Sequence, residues 1–308
     1  MSTISFNKLT KRYGSVLAVD GLSFDVQPGT VTGFLGPNGS GKTSTLRMLL
    51  GLAVPTSGTA TIDGVPYHQL PNPVRQVGAA LDSNTFHPGR SAAQHLRVIT
   101  TATGLPRRRV DEVLGLVGLS DVAGRAVGGF SLGMRQRLSL AGALLGDPGV
   151  LVFDEPLNGL DPDGIRWLRG LLRTLAAQNR TVFLSSHLLN EVAQTVDDIV
   201  VVSRGRLVTQ GPLAELADRS SVVRARTTDP ARLVDVLLAA GLRASIADSS
   251  TVEAMTATAD QVGLAAAAAG LPILELSRRD EDLESLFFDL TDKPDTTDTT
   301  DKTQEALS

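Results

Sequence analysis

The sequence predicts an α/β fold: a core domain over about residues 1–218, a small α+β domain over 219–290 and an acidic tail at 291–308. Three observations carry this. A glycine-rich loop, Gly36-Pro37-Asn38-Gly39-Ser40-Gly41-Lys42-Thr43-Ser44, lies between a short apolar run and a stretch with apolar residues at helical spacing, Leu46, Leu49 and Leu50. A second apolar run, residues 150–153, ends on two acids, Asp154 and Glu155. Beyond residue 220 the periodicity alternates in the order βαββαβ.

The loop fits the pattern G-x-x-x-x-G-K-[ST] in the strand–loop–helix context that the pattern requires. Its glycines let successive backbone N–H groups turn inward and form a nest for an anion. The helix N-terminus adds partial positive charge. Lys42 is spaced to reach the β- and γ-phosphates of a nucleotide, and Thr43 to offer its hydroxyl to Mg²⁺. The loop alone reads as a binder of nucleoside triphosphates.

The elements follow in order. Residues 4–9 and 22–26 read as strands, with Lys11-Arg12-Tyr13-Gly14 as a loop between them. Two readings fit Tyr13: an aromatic that stacks on an adenine ring, or a half-buried tyrosine with a solvated hydroxyl. Pro28-Gly29 is a turn into the loop's strand, and residues 58–62 form another strand. Residues 77–81 are a short strand ending on Asp82. From about Thr85 to Gly129 the pattern turns helical, with residues 92–101 and 110–117 apolar at three- and four-residue spacing. With the helix after it, this makes a helical subdomain of about residues 85–147. Ser131 is placed to cap that helix.

Asp154 and Glu155 stand at the carboxyl end of their strand, where open α/β sheets place ligands. An apolar strand closed by Asp organises Mg²⁺, and Glu155 beside it is a candidate base for water. The bland alternative is a pair of acids capping the next helix. A helix opens at Asn158-Gly159-Leu160-Asp161-Pro162 and runs to about Ala177. The strand 181–186 delivers His187 to the same sheet edge, which favours a role at the γ-phosphate. A β-hairpin turns around Arg204-Gly205. The βαββαβ order beyond it suggests a ferredoxin-like domain, followed by a helix at 281–290. The tail is rich in Asp and Thr and reads as disordered.

Composition narrows the class. With 42% hydrophobic residues the 308-residue chain can bury a sizeable core. The absence of cysteine excludes disulfides and thiolate metal sites. No apolar run approaches the roughly 18 residues that span a membrane. The first residues lack a signal-peptide layout. Net charge is −4, of which the tail at 292–308 supplies −3, so no basic face for nucleic acid is expected.

Together these motifs resemble the ATP-binding subunit of an ABC transporter, in the bacterial drug and bacteriocin exporter branch whose ATPase and membrane subunits are separate chains. The resemblance covers residues 2–216 closely and extends towards 290. It implies a P-loop ATPase core with an N-terminal antiparallel β subdomain and an inserted helical subdomain. Tyr13 matches the aromatic that stacks on adenine, and Ser131-Leu132-Gly133-Met134 the signature that meets the γ-phosphate of the opposite subunit. Leu160-Asp161 matches the loop linking two subunits, and His187 the switch histidine. The family signature usually reads Leu-Ser-Gly-Gly-Gln. Here Phe130, Leu132 and Met134 replace the leucine, the first glycine and the glutamine, while Ser131 and Gly133 remain. Asp82 stands where the family often has glutamine; it would reach Mg²⁺ through water or act only in coupling.

What the resemblance implies is an ATP sandwich: two subunits head to tail, each ATP between one phosphate loop and the other's signature. ATP and Mg²⁺ are then the cofactors, and a second ATPase subunit and a transmembrane permease the partners. The chain would be cytoplasmic, peripheral on the inner face of the membrane, docking through the helical insertion near Thr85-Phe86-His87-Pro88. The competing reading is a soluble ATPase of the same family acting on ribosomes or DNA. That class usually carries two cassettes or a long coiled-coil insertion, whereas this chain has one cassette and no heptad run. A degenerate regulatory nucleotide binder is disfavoured by Lys42, Asp154, Glu155 and His187 all being present.

Overall fold

A computed structural model of the chain describes residues 2–81, 86–219, 221–255 and 257–280. The chain divides into two units, Met1–Glu215 and Leu216–Ser308.

The first unit opens with a long hairpin, β1 (Ile4–Tyr13) and β2 (Val16–Val26). The expected loop at Lys11-Arg12-Tyr13 is instead strand. Antiparallel pairing continues through Lys11↔Val19, Arg12↔Leu17 and Tyr13↔Val16. Charged side chains on an exposed strand resemble a loop in sequence, but the ladder of backbone hydrogen bonds does not need them to be apolar. Next come β3 (Val31–Leu35), α1 (Lys42–Leu49) and β4 (Ser57–Ile62), which pairs with β1 to give a sheet of order β2-β1-β4. After α2 (Pro73–Gln76) and β5 (Val77–Ala80), three helices form the insertion: α3 (Ala92–Thr103), α4 (Arg108–Leu116) and α5 (Leu132–Leu144). A capping box between Ser91 and Gln94 starts α3, satisfying two of the orphan N–H groups of its first turn.

The chain returns to the core as β6 (Val150–Asp154), α6 (Pro162–Ala177), β7 (Thr181–Ser186), α7 (Leu189–Ala193), β8 (Asp198–Ser203) and β9 (Arg206–Pro212). These strands build a six-stranded sheet of order β5-β6-β7-β3-β8-β9, parallel except for β9. Residues of β3 and β7 are buried throughout, and those of β6 up to Phe153. That is why their sequences read as continuous apolar runs rather than alternations. Phe6, Phe24, Phe34 and Phe183 join the two sheets, with ring centroids 4.4–6.1 Å apart. Such pairs add about 0.5–1.5 kcal/mol each beyond burial. The order places the carboxyl ends of β3, β7 and β6 side by side, and these three ends carry the phosphate loop, His187 and Asp154-Glu155.

A short helix α8 (Leu213–Arg219) leads to the second unit: β10 (Ser221–Thr227), α9 (Pro230–Ala239), β11 (Arg243–Ile246), β12 (Thr251–Met255), α10 (Ala259–Ala268) and β13 (Ile273–Asp280). Its sheet is antiparallel with order β11-β12-β10-β13. The βαββαβ element order and the central first strand make it a ferredoxin-like unit. Val223, Ala225, Val252 and Ala254 of the sheet pack on Leu233, Leu237, Val262 and Ala266 of the two helices. The helix expected at 281–290 and the tail lie outside the described residues.

Candidate active site

β3 ends at Leu35 and the chain curls over Gly36 to Gly41 before α1. Two glycines are required by close approach. A Cβ on Gly36 would lie 2.4 Å from both Val202 O and Ser40 Oγ. Gly41 has φ +99°, and its Cβ would lie 2.3 Å from Ala18 O. Pro37, Asn38 and Gly39 are exposed along the loop's rim, and Ser44 is half-buried in the first turn of α1. Ser40 Oγ is buried without a hydrogen-bond partner among the described residues. A tight, backbone-lined curl at a helix N-terminus, with a spare buried hydroxyl, fits an anionic phosphate chain.

Lys42 Nζ donates to Gly36 O at 2.6 Å and Pro37 O at 3.2 Å, and lies 3.9 Å from Glu155 Oε1. Burial pushes the Lys42 ammonium below its ordinary pKa, and the charges of Glu155 and Asp154 oppose that shift. Thr43 Oγ1 donates to Asp154 Oδ2 at 2.8 Å. One hydroxyl and one carboxylate are hard oxygen donors. Among the described residues no group of three or more His, Cys, Asp or Glu is arranged around one point. This donor set fits Mg²⁺, which keeps several waters and takes the rest of its ligands from phosphate oxygens.

Glu155 has φ +50°, a left-handed conformation that costs a non-glycine residue about 1–3 kcal/mol and persists where the surroundings enforce it. Ser185 does the enforcing. Its hydroxyl donates to Asp154 Oδ1 and accepts from the Glu155 N–H at 3.0 Å. One buried hydroxyl thus sets the carboxylate of Asp154 and the backbone of Glu155. The Glu155 side chain meets His187, whose Nδ1 lies 3.0 Å from Glu155 Oε2. With Nδ1 carrying the proton, His187 donates to the carboxylate and leaves Nε2 to face a second group.

The signature residues sit apart from this cluster, at the start of α5. Ser131 caps the helix, accepting the Met134 N–H at 3.2 Å. Ser131 and Leu132 are exposed and Gly133 half-exposed. Asp161 caps α6 by accepting the Gly164 N–H at 2.8 Å. The two turns share a cleft of about 530 Å³, lined by Ser131, Gly133, Leu160 and Asp161 among others.

Comparisons with known proteins identify the family. The family described as "ABC transporter" matches residues 19–158. The bacitracin transport ATP-binding protein of Bacillus licheniformis is 43% identical over 71% of this chain and 73% of its own length. The Nod factor export ATP-binding protein of Burkholderia orbicola is 36% identical over 94% of this chain and 97% of its own. The chain belongs to the ATP-binding subunits of ABC transporters. A solved ATP-binding subunit of an ABC transporter aligns with a TM-score of 0.63 at 27% identity, covering 69% of this chain and 91% of that one. Residues 221–284 match a family described only as a domain of unknown function.

This ABC ATPase therefore binds and hydrolyses ATP. The remaining sequence expectations fall as follows. Tyr13 ends β1 beside the hairpin turn with its ring exposed, and Lys11 Nζ lies 4.9 Å over that ring. Asp82 and Thr85 lie outside the described residues. Phe86 lines a cleft of about 510 Å³ together with Arg47, Leu52, Tyr67, His95 and Ile99. His87 does not line it and instead accepts the Gly89 N–H at 3.2 Å within its own turn. Burial, with Arg90 adding to it, holds His95 below its ordinary pKa. No helix among the described residues is long and apolar enough to cross a membrane.

Two contributors escaped the sequence reading. Ser185 left one signal, a pair of hydroxyls with Ser186 closing an apolar run before His187. Gln136, buried in α5, donates to Pro156 O at 3.1 Å and ties the signature helix to the segment after Glu155. A buried glutamine in a helix with no polar periodicity gives no sign of its partner.

Proposed function

We propose that this subunit drives the export of an antibiotic, drug or peptide through a separate membrane permease, as one half of a head-to-tail ATPase pair. The single observation that carries the pairing is the separation of the two polar groups. Lys42, Thr43, Asp154, Glu155 and His187 converge within hydrogen-bond or ion-pair reach, whereas the Ser131 side chain, among the described residues, bonds to its own helix and is exposed. A γ-phosphate needs donors on several sides, and a second copy can supply the missing side with its Ser131 and Gly133.

In this reading ATP lies on the phosphate loop, its adenine against Tyr13 and its phosphates on the N–H groups from Pro37 to Ser44. Lys42 turns its ammonium from the Gly36 and Pro37 carbonyls to the β- and γ-phosphates. Thr43 and Asp154 would hold Mg²⁺, which would supply charge neutralisation at the phosphates. Glu155 orients a water and accepts its proton, and His187 holds that carboxylate while offering Nε2 to the γ-phosphate. Asp161 stays with its helix and bears on the second subunit through the loop it ends.

The exporter direction is supported by the name of the Nod factor export relative, and the bacitracin transport relative adds a peptide antibiotic as cargo. Their cargoes differ while the motor is shared, so cargo is chosen by the membrane partner. The cleft lined by Phe86, with its exposed Leu52 and Arg47, suits a helix end from that permease. The chain would sit on the inner face of the membrane through this contact alone. The test is co-expression with the membrane protein encoded beside it. The wild type is expected in the membrane fraction, and Phe86→Ala with Leu52→Ser is expected to return it to the supernatant with ATP binding intact. Recovery on ribosomes or DNA, with no membrane fraction, would favour the soluble-ATPase reading.

A further inference from the structure

Leu132 stands in the signature where the family usually has glycine, and its side chain has a definite seat. A Cβ built on Gly159 would lie 2.2 Å from Leu132 Cδ2 and 2.5 Å from its Cγ. The leucine therefore rests directly on the face of Gly159, where any side chain would displace it. Gly159 has φ +77°, in the left-handed region, so the bare face is presented by the turn itself. A Cβ on Gly133 would in turn lie 3.4 Å from Gly159 O. The first turn of α5 thus lies flat on the turn at Asn158 to Asp161.

Two further contacts run along the same seam. Gln136 donates to Pro156 O at 3.1 Å, and the Arg137 guanidinium lies 4.3 Å over the Trp167 ring. All three partners, Pro156, Gly159 and Trp167, lie on the stretch that begins at Glu155 and continues into α6. Of the three residues of α5, only Leu132 touches the turn itself, and it does so next to Ser131 and Gly133. A glycine in its place has no side chain to make that contact and leaves the signature turn free to rotate about its own backbone.

We propose that Leu132 is a positioning residue that locks the signature turn to the Asn158–Asp161 turn of the same subunit, so that the two are offered to the second subunit as one rigid half-site. The inference rests on the head-to-tail reading above. Its physical content is pre-organisation: a turn already held in its binding geometry loses less freedom when it closes on a nucleotide. The lock also gives the segment carrying Glu155 and the signature one shared motion. The leucine substitutes for flexibility that the usual glycine leaves in place.

The test uses the full chain with Glu155→Gln, so that ATP is held rather than turned over. The readout is the concentration of MgATP that half-converts monomer to dimer, measured by light scattering on a sizing column, with ADP affinity as the control. Leu132→Gly and Leu132→Ala are each expected to raise that concentration about five-fold, while Leu132→Met, which refills the seat, stays within about two-fold. ADP affinity is expected to stay within about two-fold in all of them, because ADP occupies the phosphate loop alone. Gly159→Ala is expected to act in the same direction, and adding it to Leu132→Gly to cost less than the two separately. Leu132→Ala serves if the glycine variant fails to fold. Leucine variants that pair at the parent's MgATP concentration overturn this proposal alone. A methionine variant as weak as the glycine one also overturns it. A parent that stays monomeric in saturating MgATP overturns the pairing reading, and this one with it.

Discussion

The two halves of the nucleotide site are built on opposite plans. On the phosphate-loop side the charged side chains are already paired within the chain. Lys42 is held by two carbonyls and Glu155, Asp154 by Thr43 and Ser185, and Glu155 by His187 and Ser185. On the signature side, among the described residues, the Ser131 and Asp161 side chains cap their own helices, and Leu132 is 42% exposed. The first half has its residues fixed at the ends of three adjacent parallel strands, where register sets distance. The second half sits at two helix starts, where one packed leucine sets it. A site that is rigid on one side and outward-facing on the other is suited to close on its ligand by meeting a second copy.

The largest effect is expected from breaking the rigid half at its charge. Lys42→Ala should cost about 2–5 kcal/mol of ATP affinity, the usual loss when one partner of a buried charge pair is removed. That is roughly 30- to several-thousand-fold in Kd. Titration of a fluorescent ATP analogue measures it, and circular dichroism checks that the fold survives. An affinity within about three-fold of wild type would move the phosphate contact away from Lys42.

A smaller effect is expected from Ser185→Ala, which keeps every charged residue and removes only the hydroxyl that holds them. The half-buried Asp154 Oδ1 and the Glu155 N–H each lose a partner, and the left-handed backbone of Glu155 loses its anchor. If about 1.4 kcal/mol of that appears in the transition state, turnover at saturating ATP falls about ten-fold while ATP affinity changes little. Wild-type turnover would show that Glu155 needs no such anchor.

The smallest effect is expected at the other end of the chain. Every residue of both halves precedes Thr209, and the ferredoxin-like unit has its own hydrophobic core. A chain ended after Asp218 should bind ATP within about two-fold of the full length. Loss of binding in a folded fragment would mean that the second unit shapes the site.

The rigid half was largely legible in sequence, for a physical reason. Its residues belong to contiguous motifs, and a buried parallel strand announces itself as an apolar run whose end must be the ligand edge. Gly36 to Ser44, Asp154-Glu155 and His187 could each be placed that way. Ser131 was legible as a cap because capping is a local rule, and the C-terminal βαββαβ order followed from local periodicity. What depended on contacts between distant elements was not legible. The strand order β5-β6-β7-β3-β8-β9 comes from long crossovers, and the seat of Leu132 on Gly159 joins two helix starts. Lys11 and Arg12 read as loop because their side chains are charged, although their backbones complete the ladder.

The central claim is that the two halves belong to different copies when ATP is held. Glu155→Gln keeps the fold and the binding groups but leaves an amide where the base should be, so it can hold water and cannot take its proton. Its mass in solution, with and without MgATP, tests the claim most directly. The account predicts a monomer without nucleotide, a dimer with saturating MgATP, and turnover reduced by at least about a hundred-fold. A variant that remains monomeric at saturating MgATP, or that hydrolyses ATP at the wild-type rate, would contradict it.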